Sequence, residues 1–224
     1  MAQSLPYRIG FWSSLLSAML GVVLIITNIG IGITGQWPAW EGVQSYAAWF
    51  RSLRLNYFTV AFITSFLMVI LFLKIMAALY SLAPPEKKIL GMLGLSFTVV
   101  CATLASITYY TQLSIVPNSI ASETVEELTR FIYHAPNSVV FAVDILGFFF
   151  LGIATLCTAP LFASERVERT IRWLFIAFGI ENIVGLSAHA LDKQMMLLFY
   201  NLLMTVTIVA ASTCLSIYFQ RGKP

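Results

Sequence analysis

Two carboxylates, a histidine and several amides lie inside long apolar stretches of this 224-residue chain. The carboxylates are Asp144 and Glu181, and Asn182 and His189 follow Glu181 on the same stretch. An ionised side chain costs at least about 2.5–3.5 kcal/mol at the centre of a bilayer, so such a carboxylate needs a partner, a proton or water. Carboxyl groups that gain and lose a proton there can couple ligand binding to protons or act as general acids. The same pattern adds four ligand-binding or proton-coupling candidates: Asn28, Tyr110, Gln112 and Asn201.

Each of these groups also has a purely structural interpretation. A buried carboxyl that is protonated or hydrogen-bonded locks helices together, and a buried histidine can do the same. The polar candidates concentrate in one half of the predicted bundle. In the other half Lys74 is the one ionisable candidate, and a lysine within reach of the interface usually extends its ammonium group to the headgroups.

Other chemical motifs fail because of their context. The GxGxxG spacing from Gly30 to Gly35 lies in an apolar stretch with no preceding strand, so it does not predict a dinucleotide site. The two histidines, His134 and His189, have no neighbours at a metal-ligand spacing such as HExxH, so we expect no metal and no cofactor. No GxSxG motif is present. The three cysteines show no CxxC spacing and are predicted to be buried thiols.

Six apolar stretches of twenty or more residues must position these groups. About 20 helical residues cross a hydrocarbon core, and only helices or closed barrels satisfy their backbone there. The stretches are continuous rather than alternating, which favours helices. Only 10% of the residues are charged, against roughly 25% in soluble domains. We therefore predict an all-α membrane protein, a bundle of six transmembrane helices at about residues 11–34, 57–82, 89–116, 139–163, 171–191 and 195–219.

The connections between the predicted spans leave no room for a second domain. The longest, residues 35–56 and 117–138, have about twenty residues each, so residues 1–224 are predicted to form a single transmembrane domain. Each long connection predicts a short interfacial helix on the outer side. The first is rich in tryptophan and tyrosine. The second is predicted to be capped by Ser122 and ended by Pro136, and the pair either anchors the loops or forms a lid over a cavity.

Basic residues at the span ends predict the orientation. One side receives eight of them and the other side four, so the positive-inside rule places both termini in the cytoplasm. The net charge of +3 is not gathered in a stripe, and we expect no nucleic-acid partner. The first span is too long for a signal peptide and is predicted to remain as an anchor. The eight are Arg8, Lys87, Lys88, Arg166, Arg169, Arg172, Arg221 and Lys223, and the four are Arg51, Arg54, Arg130 and Lys193.

Small and polar residues at helical spacing predict the inward faces, because membrane helices pack through such residues. The clearest set on the third span is Gly91, Gly94, Thr98, Cys101, Ala105, Thr108 and Gln112, and the fourth span offers Asp144, Gly147, Ala154, Thr155 and Thr158. From these faces we expect the eight polar candidates to converge on one outward-opening cavity. Asp144 and Glu181 are expected to share a dry pocket in which at least one of them is protonated.

Three segments carry a resemblance to other proteins. Residues 144–150 (DILGFFF), 151–162 (LGIATLCTAPLF) and 172–179 (RWLFIAFG) resemble uncharacterised bacterial families of small six-helix integral membrane proteins. In those families an Asp-x-x-Gly helix is followed by a basic turn and another apolar helix. The resemblance implies a multi-pass protein of a prokaryotic inner membrane. It implies no activity and assigns no functional residues.

Three functions remain open from the sequence. The leading one is an outward-facing polar pocket that binds a small, partly apolar molecule, as in a proton-coupled transporter or a receptor-like module. The second is an accessory or structural membrane subunit. The third is an intramembrane acid-base enzyme acting on a lipid-soluble substrate, so enzymatic activity stays undecided. The expected partners are the lipid bilayer, a small lipophilic ligand, and either a second copy of the chain or another membrane subunit.

Overall fold

The computed structural model describes residues 4–34, 40–53, 57–162, 165–191 and 194–222. These residues form helices and turns without a strand. Six of the helices or continuous helical segments are long and apolar enough to cross a membrane, so the prediction of a six-helix, multi-pass membrane protein is confirmed. The α-helices are α1 (Leu5–Thr34), α2 (Val43–Ser52), α3 (Tyr57–Leu82), α4 (Lys88–Tyr110), α5 (Val116–Ala121), α6 (Val139–Thr158), α7 (Arg166–Ala190) and α8 (Gln194–Arg221).

Several helix ends differ from the apolar stretches, and α1, for example, begins at Leu5, six residues before its stretch. The helix of the third span does not end at residue 116, because a π-helical turn at Thr111–Ile115 joins α4 directly to α5. Helix α7 begins five residues before its apolar stretch, since exposed charged residues extend it beyond the apolar part. Several residues used in the sequence predictions lie outside the described residues: Gly35, Arg54, Ala163, Lys193 and Lys223.

The spans follow one another around a ring in chain order. Each spanning helix packs against the ones before and after it, and α8 closes the ring against α1. The start of α1 and the end of α8 lie at the same end of the bundle, where Gly10 of α1 contacts Phe219 of α8. We call this the terminal end. The opposite end carries α2 and residues 111–138.

The predicted inward faces of the third and fourth spans are confirmed. All the small and polar residues proposed for these two faces are buried. Gly94 of α4 leaves no room for a side chain, because a Cβ there would overlap Thr158 of α6. Gly152 of α6 and Gly179 of α7 bring two backbones together, since a Cβ on Gly152 would lie 3.1 Å from the Gly179 carbonyl oxygen. Close backbone approach through small residues thus sets the helix spacing.

Large apolar side chains fill the bundle toward the terminal end. They come from α3, α7 and α8 and from the turn after α6, and each is at most 3% exposed. Such packing leaves no room for a water-filled path through this set of residues. The set is Ile75, Met76, Leu79, Phe162, Ile171, Phe175, Leu215 and Phe219.

The two long connections pack on each other and cover the opposite end. We call residues 40–53 and 116–138 the cap. An apolar cluster that includes Tyr46 of α2 and Ile132 holds the two parts together, and the Arg51 guanidinium donates a hydrogen bond to the carbonyl of Ile120. The first predicted interfacial helix is therefore present as α2.

The second interfacial helix differs from its prediction. Ser122 does not cap it, because the helical turn starts only at Glu126, with Val125 at its N-cap and no side-chain cap. The Ser122 hydroxyl donates to the carbonyl of Asn118 in α5. The next residue, Glu123, turns the chain with φ of 63°. Only a short 3₁₀ helix follows, at Glu126–Arg130. The third span continues through α5 to Ala121, and Ser122 therefore follows the end of one helix instead of starting the next.

Candidate functional site

Asp144 lies in the interior between α6 and the cap. The Ser138 hydroxyl accepts a hydrogen bond from the Phe141 amide and caps α6, which places Asp144 between one and two turns below the start of the helix. Its side chain is 2% exposed. The Tyr133 hydroxyl donates to Oδ2 over 2.7 Å, whereas Oδ1 is buried without a hydrogen-bond partner among the described residues. The Tyr109 hydroxyl of α4 is close enough to interact with the carboxyl.

Gln112 positions the part of the cap that reaches Asp144. Its Nε2 donates to the carbonyl of Phe131 over 2.6 Å, and its Oε1 accepts from the amide of Tyr133 over 3.1 Å. The side chain is 6% exposed and lies in the π-helical turn that follows α4. Both polar atoms of the Gln112 side chain are hydrogen-bonded to the backbone of the cap, so Gln112 holds Tyr133 in position beside Asp144.

The cap presents neutral aromatic groups to this site. His134 packs edge-on against Phe58 with ring centroids 4.5 Å apart, and burial lowers its pKa to about 4. Burial, followed by the negative charge of Asp144, raises the pKa of Tyr133 well above its ordinary value. Both groups are therefore uncharged near neutral pH.

A second hydrogen-bonded pair joins α7 to α8. The Tyr200 hydroxyl donates to Oδ1 of Asn182 over 2.9 Å, and Nδ2 of Asn182 donates to the carbonyl of Phe178 over 2.7 Å. Gly185, one turn after Asn182, makes space for the Tyr200 ring, which a Cβ would meet at 2.5 Å. The amide of Asn182 is thereby satisfied within the protein.

Glu181 has a different environment from Asp144. The Thr207 hydroxyl of α8 donates to Oε1 over 2.8 Å, while Oε2 is buried without a hydrogen-bond partner among the described residues. The side chain as a whole is only partly buried. Asp144 bonds to the cap and Glu181 bonds to α8, so the expectation of a pocket shared by both carboxyls is corrected: the two groups have separate partners.

The remaining candidates do not meet in one cavity. Asn28, Tyr110 and Asn201 have exposed side chains, and His189 is half-buried with its ring edge-on to Phe141. Tyr110 is outside because consecutive helical residues point about 100° apart and its neighbour faces inward. Asn28 likewise follows the buried Thr27, and Asn201 follows the buried Tyr200. The single cavity predicted for all eight residues is therefore corrected. Three of the residues lie on the bundle surface, His189 is half-buried, and the other four belong to three separate hydrogen-bonded groups: Asp144 with Gln112, Asn182 with Tyr200, and Glu181 with Thr207.

Four residues that contact the predicted carboxyl and amide groups were missed as site residues. Tyr109 had a usable signal, because it follows the inward-facing Ala105 by four residues. Tyr200 and Thr207 lie on an apolar helix whose polar residues are scattered. Tyr133 lies in an irregular connection, where no periodicity indicates the direction of a side chain. Only the folded cap reveals its contact with Asp144.

Comparison with known proteins gives no further assignment. No family model, no curated protein and no solved structure matches this chain. Within the described part of the chain, no three His, Cys, Asp or Glu side chains are grouped so that they could hold a metal ion. The function must be inferred from the geometry alone.

Proposed function

We propose that this chain is a prokaryotic inner-membrane protein that binds a small, partly apolar molecule beneath the cap. The ligand donates a hydrogen bond or a positive charge to Asp144. The observation that carries the proposal is the carboxyl itself: Oδ2 is held by Tyr133 of the cap, and Oδ1 is buried and has no hydrogen-bond partner of good geometry among the described residues, although the Tyr109 hydroxyl lies near the carboxyl. A buried acceptor without a donor costs about 1–3 kcal/mol, which a proton or a bound donor offsets.

The surroundings of Asp144 support this class of ligand. Tyr109, Tyr133 and the nearby Phe62 and Phe141 offer aromatic surface with hydroxyl groups at its edge. Most small-molecule sites combine an apolar lining with a few convergent polar groups in this way. Entry requires the cap to move, because Tyr133 covers the carboxyl in the closed arrangement.

Carbodiimide labelling tests access to Asp144. Dicyclohexylcarbodiimide is small and apolar, and it adds to a protonated carboxyl to give a stable acylurea. We expect peptide mass spectrometry to find label on Asp144 between pH 5 and 8, and faster labelling in Tyr133→Phe, which lacks the hydroxyl that ties the cap to the carboxyl. Fractions of a membrane extract that slow the labelling of Asp144 without slowing that of another carboxyl in the same sample would contain the ligand.

Two variants serve as controls for the labelling. Asp144→Asn should lose the label on this peptide, and Glu181→Gln should keep it because Glu181 belongs to a separate network. If Asp144 stays unlabelled in both the wild type and Tyr133→Phe, the carboxyl is a closed structural group and the binding proposal is wrong.

An accessory or structural subunit is the second candidate. It is favoured by Asn28, an exposed amide that lies six residues before the end of α1, within the apolar part of the helix. A polar side chain facing lipid favours coverage by another membrane helix. It is also favoured by the Glu181–Thr207 hydrogen bond, which ties two helices together. If the chain is an accessory subunit, Asp144 should not react with the carbodiimide. The protein should then purify together with another subunit or a second copy of itself.

The proposed orientation places both termini in the cytoplasm and the cap outside. The cations described at the terminal end outnumber those in the cap, which supports the assignment by the positive-inside rule. A membrane-impermeant maleimide should label a cysteine at Ser122 in intact cells, and a cysteine at Glu86 only after the cells are opened. Both positions are exposed, and they lie at opposite ends of the bundle. Labelling of Glu86→Cys in intact cells would reverse the orientation.

A further inference from the structure

A basic cavity lies on the outside of the bundle near the terminal end. It has a volume of about 470 Å³ and lies between the first part of α1 and the second half of α3. Arg8 comes from α1 and Lys74 comes from α3, and none of the eight lining residues is acidic. The cavity is therefore a small, positively charged recess far from Asp144.

The depth of the two cations differs. Arg8 is in the first turn of α1, at the level of the helix ends. Lys74 precedes the end of α3 by eight residues, which is about 12 Å of helix. A lysine at this depth extends its ammonium group toward the interface rather than leaving it in hydrocarbon. Both charges can therefore meet one anion at the headgroup level.

Apart from the buried Ser13, the rest of the lining is apolar. Trp12 is 58% exposed and Leu16 is 44% exposed. These residues follow Arg8 at intervals of four, so they continue one face of α1 away from the terminal end. Leu71 of α3 lies across from them. A ligand that suits this surface has an anionic head beside Arg8 and Lys74 and an apolar chain along Trp12 and Leu16.

We propose that this cavity binds an anionic phospholipid of the leaflet that meets the terminal end. The Arg8 guanidinium presents two parallel donors to a phosphate, and the Lys74 ammonium adds a second charge. Basic recesses between transmembrane helices are suited to acidic lipid headgroups in this way. The apolar lining selects a lipid over a free phosphate, since an inorganic anion uses none of that surface.

Native mass spectrometry of the detergent-purified protein tests the proposal. The probes are phosphatidylglycerol and phosphatidylcholine with the same acyl chains. We expect phosphatidylglycerol to bind more tightly, and Arg8→Gln and Lys74→Gln each to weaken it about fivefold, as expected for one surface cation. Binding of phosphatidylcholine should change little in either variant. Trp12→Ala should weaken both lipids, because it removes surface for the acyl chain.

Arg172→Gln is the matched control. Arg172 is an exposed cation on α7 that does not line the cavity, so its loss should leave the preference intact. An equal loss in Arg172→Gln would show a general surface-charge effect and overturn the site. Competition by excess inorganic phosphate would show a simple anion site and overturn the lipid assignment. Equal binding of both lipids by the wild type would also overturn it.

Discussion

Gly152→Leu is expected to destabilise the protein by about 3 kcal/mol or more, at or beyond the upper end of the usual cost of overpacking. At this point the α6 and α7 backbones are in contact. A Cβ on Gly152 would lie 2.8 Å from the Cβ of Asn182 and 3.1 Å from the carbonyl of Gly179. Neither group is the end of a flexible side chain, so the two helices must separate. Thermal and denaturant unfolding in detergent measure the loss.

Gly32→Leu is the matched control for this prediction. Gly32 is also a helical glycine, but a Cβ on it would meet nothing within 4 Å. Its replacement should be neutral or slightly stabilising, because leucine has the higher helix propensity. If the two variants unfold alike, the contact between α6 and α7 does not determine stability. Asn182→Ala removes the hydrogen bond from Tyr200 but keeps Gly152 and the close approach of the helices. Its loss of stability measures the part that the hydrogen bond contributes.

The long elements of this fold are predictable from the sequence because a bilayer restricts the options. An apolar run of twenty residues must be helical, and its small residues must face other helices. This reasoning placed Gly94, Cys101 and Ala105 at contacts, where the structure has them. It failed near the cap end of α1, because the buried positions there are Thr27 and Ile31, and Asn28 is left outside.

The candidate site was less predictable than the helices that carry it. Sequence reasoning selected Asp144 and Asn182 correctly as buried polar groups. It could not find their partners, because a partner depends on which helix lies opposite. Glu181 shows this limit: it follows the same helical pattern as its neighbours, but it bonds to Thr207 and not to the network of Asp144.

The cap is the part of the structure that sequence reasoning reached least well. Its two halves are short, and their stability depends on contact with each other rather than on helix propensity. The contact includes Tyr46 in one half and Leu128 and Ile132 in the other. Local signals such as Ser122 therefore predicted a helix where tertiary packing selects a turn. Because the two halves of the cap depend on contact with each other, a small change in the free energy of that contact can open the cap.

Acidification from pH 6.5 to pH 5 is expected to lower the stability of the cap by up to about 2 kcal/mol through His134. Burial lowers the pKa of His134 from 6.5 to about 4 in the folded protein. Between these values the unfolded or open state binds more protons, so the stabilisation is complete above pH 6.5 and is lost as the pH falls toward 4. Hydrogen exchange of residues 122–138 at pH 7.5, 6.5 and 5, corrected for the intrinsic rate, measures this opening.

The variant His134→Phe separates this effect from other acid-sensitive groups. Phenylalanine preserves a ring beside Phe58 and Tyr133 but cannot gain a proton. Its absolute stability can differ from that of the wild type, whereas the part of the pH slope due to His134 should disappear. His189→Phe removes the second histidine, which lies outside the cap, so the part of the pH slope due to His134 should remain. If His134→Phe opens with acid as the wild type does, burial of His134 does not control the cap. If the slope disappears, protonation of one cap residue is sufficient to loosen the segment that holds Tyr133 over Asp144.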